Sequence, residues 1–297
     1  MTRKLISAAI LVGAMLLGVG VMFSVKSQDD DSKAIKAEVF IKRRPLVGAR
    51  PPSRAKYRRD STSRASVDSK QLNGMVTNEV GLTIWRFRQA SESDKTKELV
   101  EVADNQEYVL ERIAEGTPLS PGQRVRLSFE SLSTTGYLYI VNREVFADGS
   151  FGAPKLIFPT RRTLYHHKVE PGRLIYIPSA SSSFEIIPSD NTKIHVGESL
   201  TVIISPKPLI DDSQLQPRAI TLSQNQFDQW LNEWKARTEK FEMEGGIGQT
   251  LTQSEKVAAN LNSPLLSQAD PVPQTVYQLR TKPEQPLLIP LLLRFTK

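Results

Sequence analysis

The 297-residue sequence carries 39 Lys and Arg against 32 Asp and Glu, a formal charge of +7, and no cysteine. Without a thiol the chain has no disulfide framework, no thiolate metal site, no cysteine nucleophile and no cysteine-borne lipid anchor. The positive charge is local: residues 1–27 hold three cations and no acid, residues 28–72 hold 12 Lys and Arg against 6 Asp and Glu, and the remainder holds 24 against 26. A near-neutral body, with room for one large or two modest domains, therefore follows a basic leading region.

Thr2-Arg3-Lys4 precedes a weakly polar to apolar run from Leu5 to Phe23. A charged start followed by an apolar stretch predicts a secretory signal over residues 1–27, with Val25-Lys26-Ser27 at its cleavage end. The run is also long enough to cross a bilayer, so the same residues fit a retained anchor. Either way the expected compartment is outside the cytoplasm: the periplasm or outer envelope, or the outer side of the inner membrane with residues 5–23 as the tether.

Residues 28–72 are rich in Ser, Arg, Lys, Pro and Asp, with few large apolar side chains. Such a composition does not bury enough surface to offset the entropy of ordering and predicts a disordered basic linker. Arg43, Arg44, Arg50, Arg54, Lys56, Arg58 and Arg59 give it a cationic surface suited to an anionic membrane or a cell-wall polymer. The bland alternative is a soluble spacer. Nucleic acid does not fit an exported protein.

From residue 73 to 297 the sequence reads as a single β-rich domain. Gly81 to Arg88 alternates Thr83, Trp85 and Phe87 against Arg86 and Arg88, and Tyr108 to Ile113 forms a weaker candidate. Arg124 to Glu130 alternates Val125, Leu127 and Phe129 against Arg126, Ser128 and Glu130. Tyr137 to Val141 follows as a more apolar strand, with a turn at Asp148-Gly149. Arg173 to Pro178, Ser183 to Pro188, Ser199 to Ser205, Thr275 to Leu279 and Leu287 to Phe295 continue the pattern, Pro290 marking an edge or a bulge. Many short strands split by Gly and Pro predict an antiparallel β-sandwich. One amphipathic helix is expected over about 223–243, packed on a sheet: Phe227, Trp230, Leu231, Trp234 and Phe241 fall on one stripe, Ser223 with Gln226 fits a capping box, and Gly245-Gly246 fits a stop.

The usual signatures of catalysis do not stand out. His166-His167, read on a strand, would point to opposite faces and chelate one metal poorly. Gly245-Gly246-Ile247-Gly248 lacks the lysine of a phosphate loop. There is no Gly-x-Ser-x-Gly elbow and no HExxH. No enzyme activity, cofactor or metal is expected.

Gly136-Tyr137-Leu138-Tyr139, Leu156-Ile157-Phe158-Pro159, Ile177-Pro178 and Gly197-Glu198 before Leu200 to Ser205 stand in a familiar order and spacing. Over residues 118–208 the chain resembles the bacterial domain of unknown function 4384; Thr160-Arg161-Arg162 depart from the Asn that often follows Phe-Pro there. The resemblance implies an all-β module of envelope proteins and brings no catalytic residues. The resulting expectation is an exported, non-catalytic interaction or scaffold module whose partner is an envelope protein, a cell-wall polymer or an anionic membrane surface. The alternatives are a carbohydrate- or peptide-binding module with an aromatic site drawn from Tyr137, Tyr139, Trp230 and Trp234, and an envelope hydrolase with convergent carboxylates or histidines.

Overall fold

A computed structural model of the chain describes residues 74–92, 94, 100–103, 105–189, 192–258, 266–268 and 270–296, together with 35–36, 40, 42, 44 and 56–59. The signal or anchor expected over 1–27 lies outside the described residues, as do Arg43, Arg50 and Arg54. Among the described residues no helix is long and apolar enough to cross a membrane.

Two sheets face each other. The first, sheet A, has ten strands organised on β3 (Val76–Gln89). One edge of β3 pairs with β16 (Thr275–Thr281) and then with β5 (Gln106–Ile113), while its other edge takes β7 (Arg124–Ser131). Beyond β16 come β15 (Arg237–Met243), β2 (Lys56–Arg59) and β1 (Ile35–Lys36); beyond β5 comes β4 (Val100–Ala103). Along β7 lie β11 (Leu174–Ile177) and β12 (Phe184–Glu185). Sheet B runs β14 (Ile220–Thr221), β9 (Lys155–Phe158), β8 (Gly136–Phe146), β13 (His195–Ser205), β17 (Leu287–Phe295) and β6 (Pro118–Leu119), with β10 (Lys168–Val169) also on β8. The pairings are antiparallel apart from β6 with β17. The chain is mainly β, an antiparallel sandwich, as its alternating pattern implies.

The period-2 residues set the core between the sheets. Val80, Leu82 and Ile84 of β3 and Val125, Leu127 and Phe129 of β7 meet Leu138 and Ile140 of β8, Leu200, Val202 and Ile204 of β13, and Leu287, Ile289 and Leu291 of β17 in one buried cluster. Pro159 and Pro178 directly follow β9 and β11, where a residue without an N–H ends a ladder. Pro290 is exposed on β17 opposite Thr201, and β6 reaches only residues 294 and 295 of the other edge, so the proline sits where no donor is needed. Two glycines allow the central ladder to form. Gly136 has φ +154° and a Cβ there would stand 2.4 Å from the Ser205 carbonyl oxygen, while one on Gly197 would stand 2.3 Å from that of Leu293.

The expected helix is real but shorter than its apolar stripe suggests. The helix α1 (Gln224–Glu233) lies on the outer face of sheet B, where Phe227 and Trp230 join Tyr139, Val141, Ile203 and Leu288. Ser223 is its N-cap residue but makes no side-chain cap bond, so the expected capping box does not form. Residues 237–243 are strand β15 instead, and Phe241 packs with Phe40, Met243 and Val276 on the outer face of sheet A. Phe241 keeps the helical spacing from Trp234 by coincidence. The alternation of Lys240 and Glu242 against Phe241 and Met243, with a neighbouring strand on each side, decides the local structure. Gly245, at φ +69°, therefore turns the chain out of a strand and stops no helix.

The basic stretch 28–72 also departs from the free linker at its described residues. Lys56–Arg59 forms the β2 ladder with β15, Phe40 is 1% exposed, and Arg44 is 3% exposed. Arg44 was expected on a cationic surface; it is buried because Glu130 of β7 offers it a carboxylate and the turn at 267–271 offers carbonyls. Lys56, Arg58 and Arg59 contribute their backbone to sheet A.

Candidate functional site

The four aromatic residues expected to form a site do come together, but as packing. Tyr139 and Trp230 are 2% and 8% exposed, Tyr137 and Trp234 are half-buried, and all four belong to the cluster under α1. Trp230 and Trp234 stack at 5.2 Å with their planes 17° apart. The Tyr139 hydroxyl accepts from the Leu209 amide at 3.1 Å, and burial raises its pKa. His167, the C-cap of the 3₁₀ turn Leu164–His166, lies against both tyrosine rings. Its Nδ1–H donates to the Leu164 carbonyl, and burial lowers its pKa, which keeps the ring neutral. No group of three or more metal-binding side chains occurs among the described residues.

The outer face of sheet A holds a more structured arrangement. The alternation in β7 turns Arg124, Arg126, Ser128 and Glu130 away from the core, which would suit water. Yet Arg126, Ser128 and Glu130 are 1%, 4% and 1% exposed, because Arg44, Glu255, Leu266, Pro271 and Pro273 stand by Ser128 and Glu130, while Glu101, Tyr176 and Ser182 stand by Arg126. Three Arg–Glu pairs set the buried charges against one another. Arg44 binds Glu130 through Nε and Nη2, at 2.7 and 2.6 Å. Arg112 of β5 binds Glu255 at 2.5 Å and the Val272 carbonyl at 2.8 Å. Arg126 binds both oxygens of Glu101 on β4, at 3.0 and 2.9 Å, and the Ser182 carbonyl at 2.9 Å.

Trp85 stands between two of these arginines, opposite Arg112 on one neighbouring strand and Arg126 on the other. Its Nε1–H donates to Ser128 Oγ at 2.9 Å, and the Arg112 guanidinium lies 5.2 Å from its ring. Arg126 lies 4.9 Å from the Phe87 ring and 5.6 Å from that of Tyr176. Burial, with the Glu255 charge adding to it, pushes the Tyr176 phenol well above its usual range; its hydroxyl donates to the Glu255 carbonyl. Glu255 is delivered by the short helix α2 (Gln253–Ala258). Thr252 Oγ1 accepts from the Glu255 amide at 3.3 Å, and Glu255 Oε2 accepts from the Thr252 amide at 3.0 Å, a reciprocal cap.

One end of this face is open. A cavity of about 370 Å³ is lined by Phe87, Glu101, Val102, Arg124, Arg126, Ser181, Ser182, Ser183 and Glu185. Arg124 projects from the same face as Arg126 and lies over the Tyr108 ring at 6.0 Å, while Glu185 stands opposite it in the ladder. Neither the pocket nor its serines were read as a site from the sequence. The Thr252-x-x-Glu255 cap was legible there; the partner of Glu255 was not.

A separate group of acids lies where β8 and β13 leave the core. Glu198 is opposite Glu144, with Asn142 two residues away on the same face and Lys155 bonded to Glu144 at 3.4 Å. His195 Nδ1 accepts from the Ser189 amide, so its Nε2 carries the proton, donating to the Gly197 carbonyl at 2.9 Å and lying 3.4 Å from Glu198 Oε1. Burial raises the pKa of Glu198 against the opposing effects of Asn142 and His195. A native carboxyl that holds its proton more tightly than the unfolded one adds stability at low pH and loses it as pH rises through the raised value. Glu198→Gln is therefore expected to raise Tm at pH 8. The gain should close below about pH 4, where an ordinary carboxylate protonates. Thermal melts of both proteins across that range check this, and equal melts at pH 8 would contradict it.

Models of known protein families, curated proteins and solved structures give no match to this chain.

Proposed function

We propose that this chain is a non-catalytic binding module of the bacterial cell envelope, an exported β-sandwich of the kind its resemblance to domain of unknown function 4384 implies. The observation that carries the reading is the cavity beside Arg126. Its volume lies in the range of small-ligand sites, and Arg126 is held on β7 by its own supports, while Ser181, Ser182 and Ser183 line it from a loop. Three groups that could otherwise move protons are committed to structure. Glu101 accepts two bonds from Arg126, His195 accepts a backbone amide, and the His167 ring is held by a carbonyl. Recognition by fixed donors and acceptors suits this arrangement better than bond cleavage.

The test is co-sedimentation of the purified protein with cell-wall sacculi. Ser182→Trp, which fills the cavity from an exposed loop, should abolish sedimentation without lowering Tm. Sedimentation unaffected by the substitution, or release of a soluble wall fragment by the wild type, would overturn the reading. Cell fractionation with the mass of the N-terminus tests export.

A further inference from the structure

The three Arg–Glu pairs on the outer face of sheet A are not equivalent. In the Arg44–Glu130 and Arg112–Glu255 pairs the carboxylate side chains are 1% and 7% exposed, and the void beside Glu130 and Glu255 is about 10 Å³. In the third pair the Glu101 side chain is 16% exposed and borders the 370 Å³ cavity together with its arginine. The pairing of arginine with carboxylate is sealed twice and open once.

Arg126 is held before any ligand arrives. Phe87 and Tyr176 fix the plane of its guanidinium, the Ser182 carbonyl fixes Nε, and the side chain is 2% exposed. Nη1 and Nη2 then form a fork that accepts one carboxylate end-on. The group now in the fork comes from β4, a four-residue strand paired to β5, and its neighbour Val102 is 70% exposed. An external carboxylate would recover the same two charge-assisted bonds, and Glu101 would move into water. Exchange of like for like avoids the large penalty of stripping a buried arginine of its partner. Arg124, Ser181 and Ser183 line the same cavity as the fork.

Resting on the binding-module reading, we propose that this cavity is a receptor for a carboxylate-bearing ligand, and that Glu101 occupies the Arg126 fork in cis until the ligand displaces it. A peptide C-terminus and an acidic sugar share this chemistry. The experiment is calorimetric titration of the full chain with N-acetyl-alanyl-alanine and with glucuronic acid, each against its own methyl ester. At least one acid should bind saturably and its ester at least tenfold more weakly; the acid that binds more tightly identifies the source. Glu101→Gln, which leaves a neutral and poorer competitor in the fork, should bind that acid at least tenfold more tightly than the wild type. The wild-type comparison of acid with ester does not depend on the variant folding. Equal binding of acid and ester, or no binding of either acid, would overturn the carboxylate site. Acid binding no tighter in a folded Glu101→Gln would overturn the displacement. If the acids fail while Ser182→Trp still abolishes sedimentation with sacculi, the carboxylate proposal falls and the binding-module reading stands.

Discussion

Arg44→Ala is expected to destabilise the body by about 3–5 kcal/mol, because it strands the Glu130 carboxylate, 1% exposed, without its cation. For a body of this size that is a fall in Tm of roughly 6–20 °C. The three carbonyls that Arg44 satisfies, of Ser267, Asp270 and Pro271, would lose a donor as well. The double variant Arg44→Met with Glu130→Leu should recover most of the loss, since an apolar pair of similar volume carries no desolvation penalty. Thermal melts of the two proteins separate the alternatives. If residues 28–72 were a free arm, Arg44→Ala would leave Tm unchanged.

Trp85→Ala should cost about 3–5 kcal/mol, the range for emptying a buried large aromatic site. Trp85 is fully buried and touches more than apolar neighbours: its ring carries Arg112 and its indole N–H holds Ser128. Trp85→Phe keeps the ring but drops the donor, leaving the buried Ser128 hydroxyl short of one bond, and should cost about 1–3 kcal/mol. Denaturant unfolding of both variants should give this order. A Trp85→Ala protein as stable as wild type would mean that the charged face does not depend on its central ring.

The sandwich was readable from the sequence because its inner faces obey a local rule. Val125, Leu127 and Phe129, or Leu200, Val202 and Ile204, declare a strand and its buried side without reference to any other segment. The end of α1 was not readable, since Phe241 lies at a helical spacing from Trp234 while its own neighbours alternate; pairing with β2 and β16 decides the matter, and pairing is not local. The candidate cavity was missed for the same reason. Arg124, Arg126, Ser128 and Glu130 look like the wet face of a strand, and their burial depends on Arg44, Glu101 and Glu255, which are distant in sequence. Within residues 28–72, composition likewise gave no sign of the burial of Phe40 and Arg44 or of the ladder at Lys56–Arg59. Phe40, Arg44 and the short strand β2 dock because the receiving surface supplies the complementary groups.

Strand β17 carries a consequence for how the protein is made. It zips against β13 along eight residue pairs and supplies Leu287, Ile289, Leu291, Leu293 and Phe295 to the interior, yet β13 ends at Ser205 and β17 begins only at Leu287. Until that distant segment docks, β13 has an unprotected border and the interior lacks a wall. Non-local closure of this kind is slow and leaves sticky borders exposed while it waits. Docking of β17 is thus the step that closes the interior.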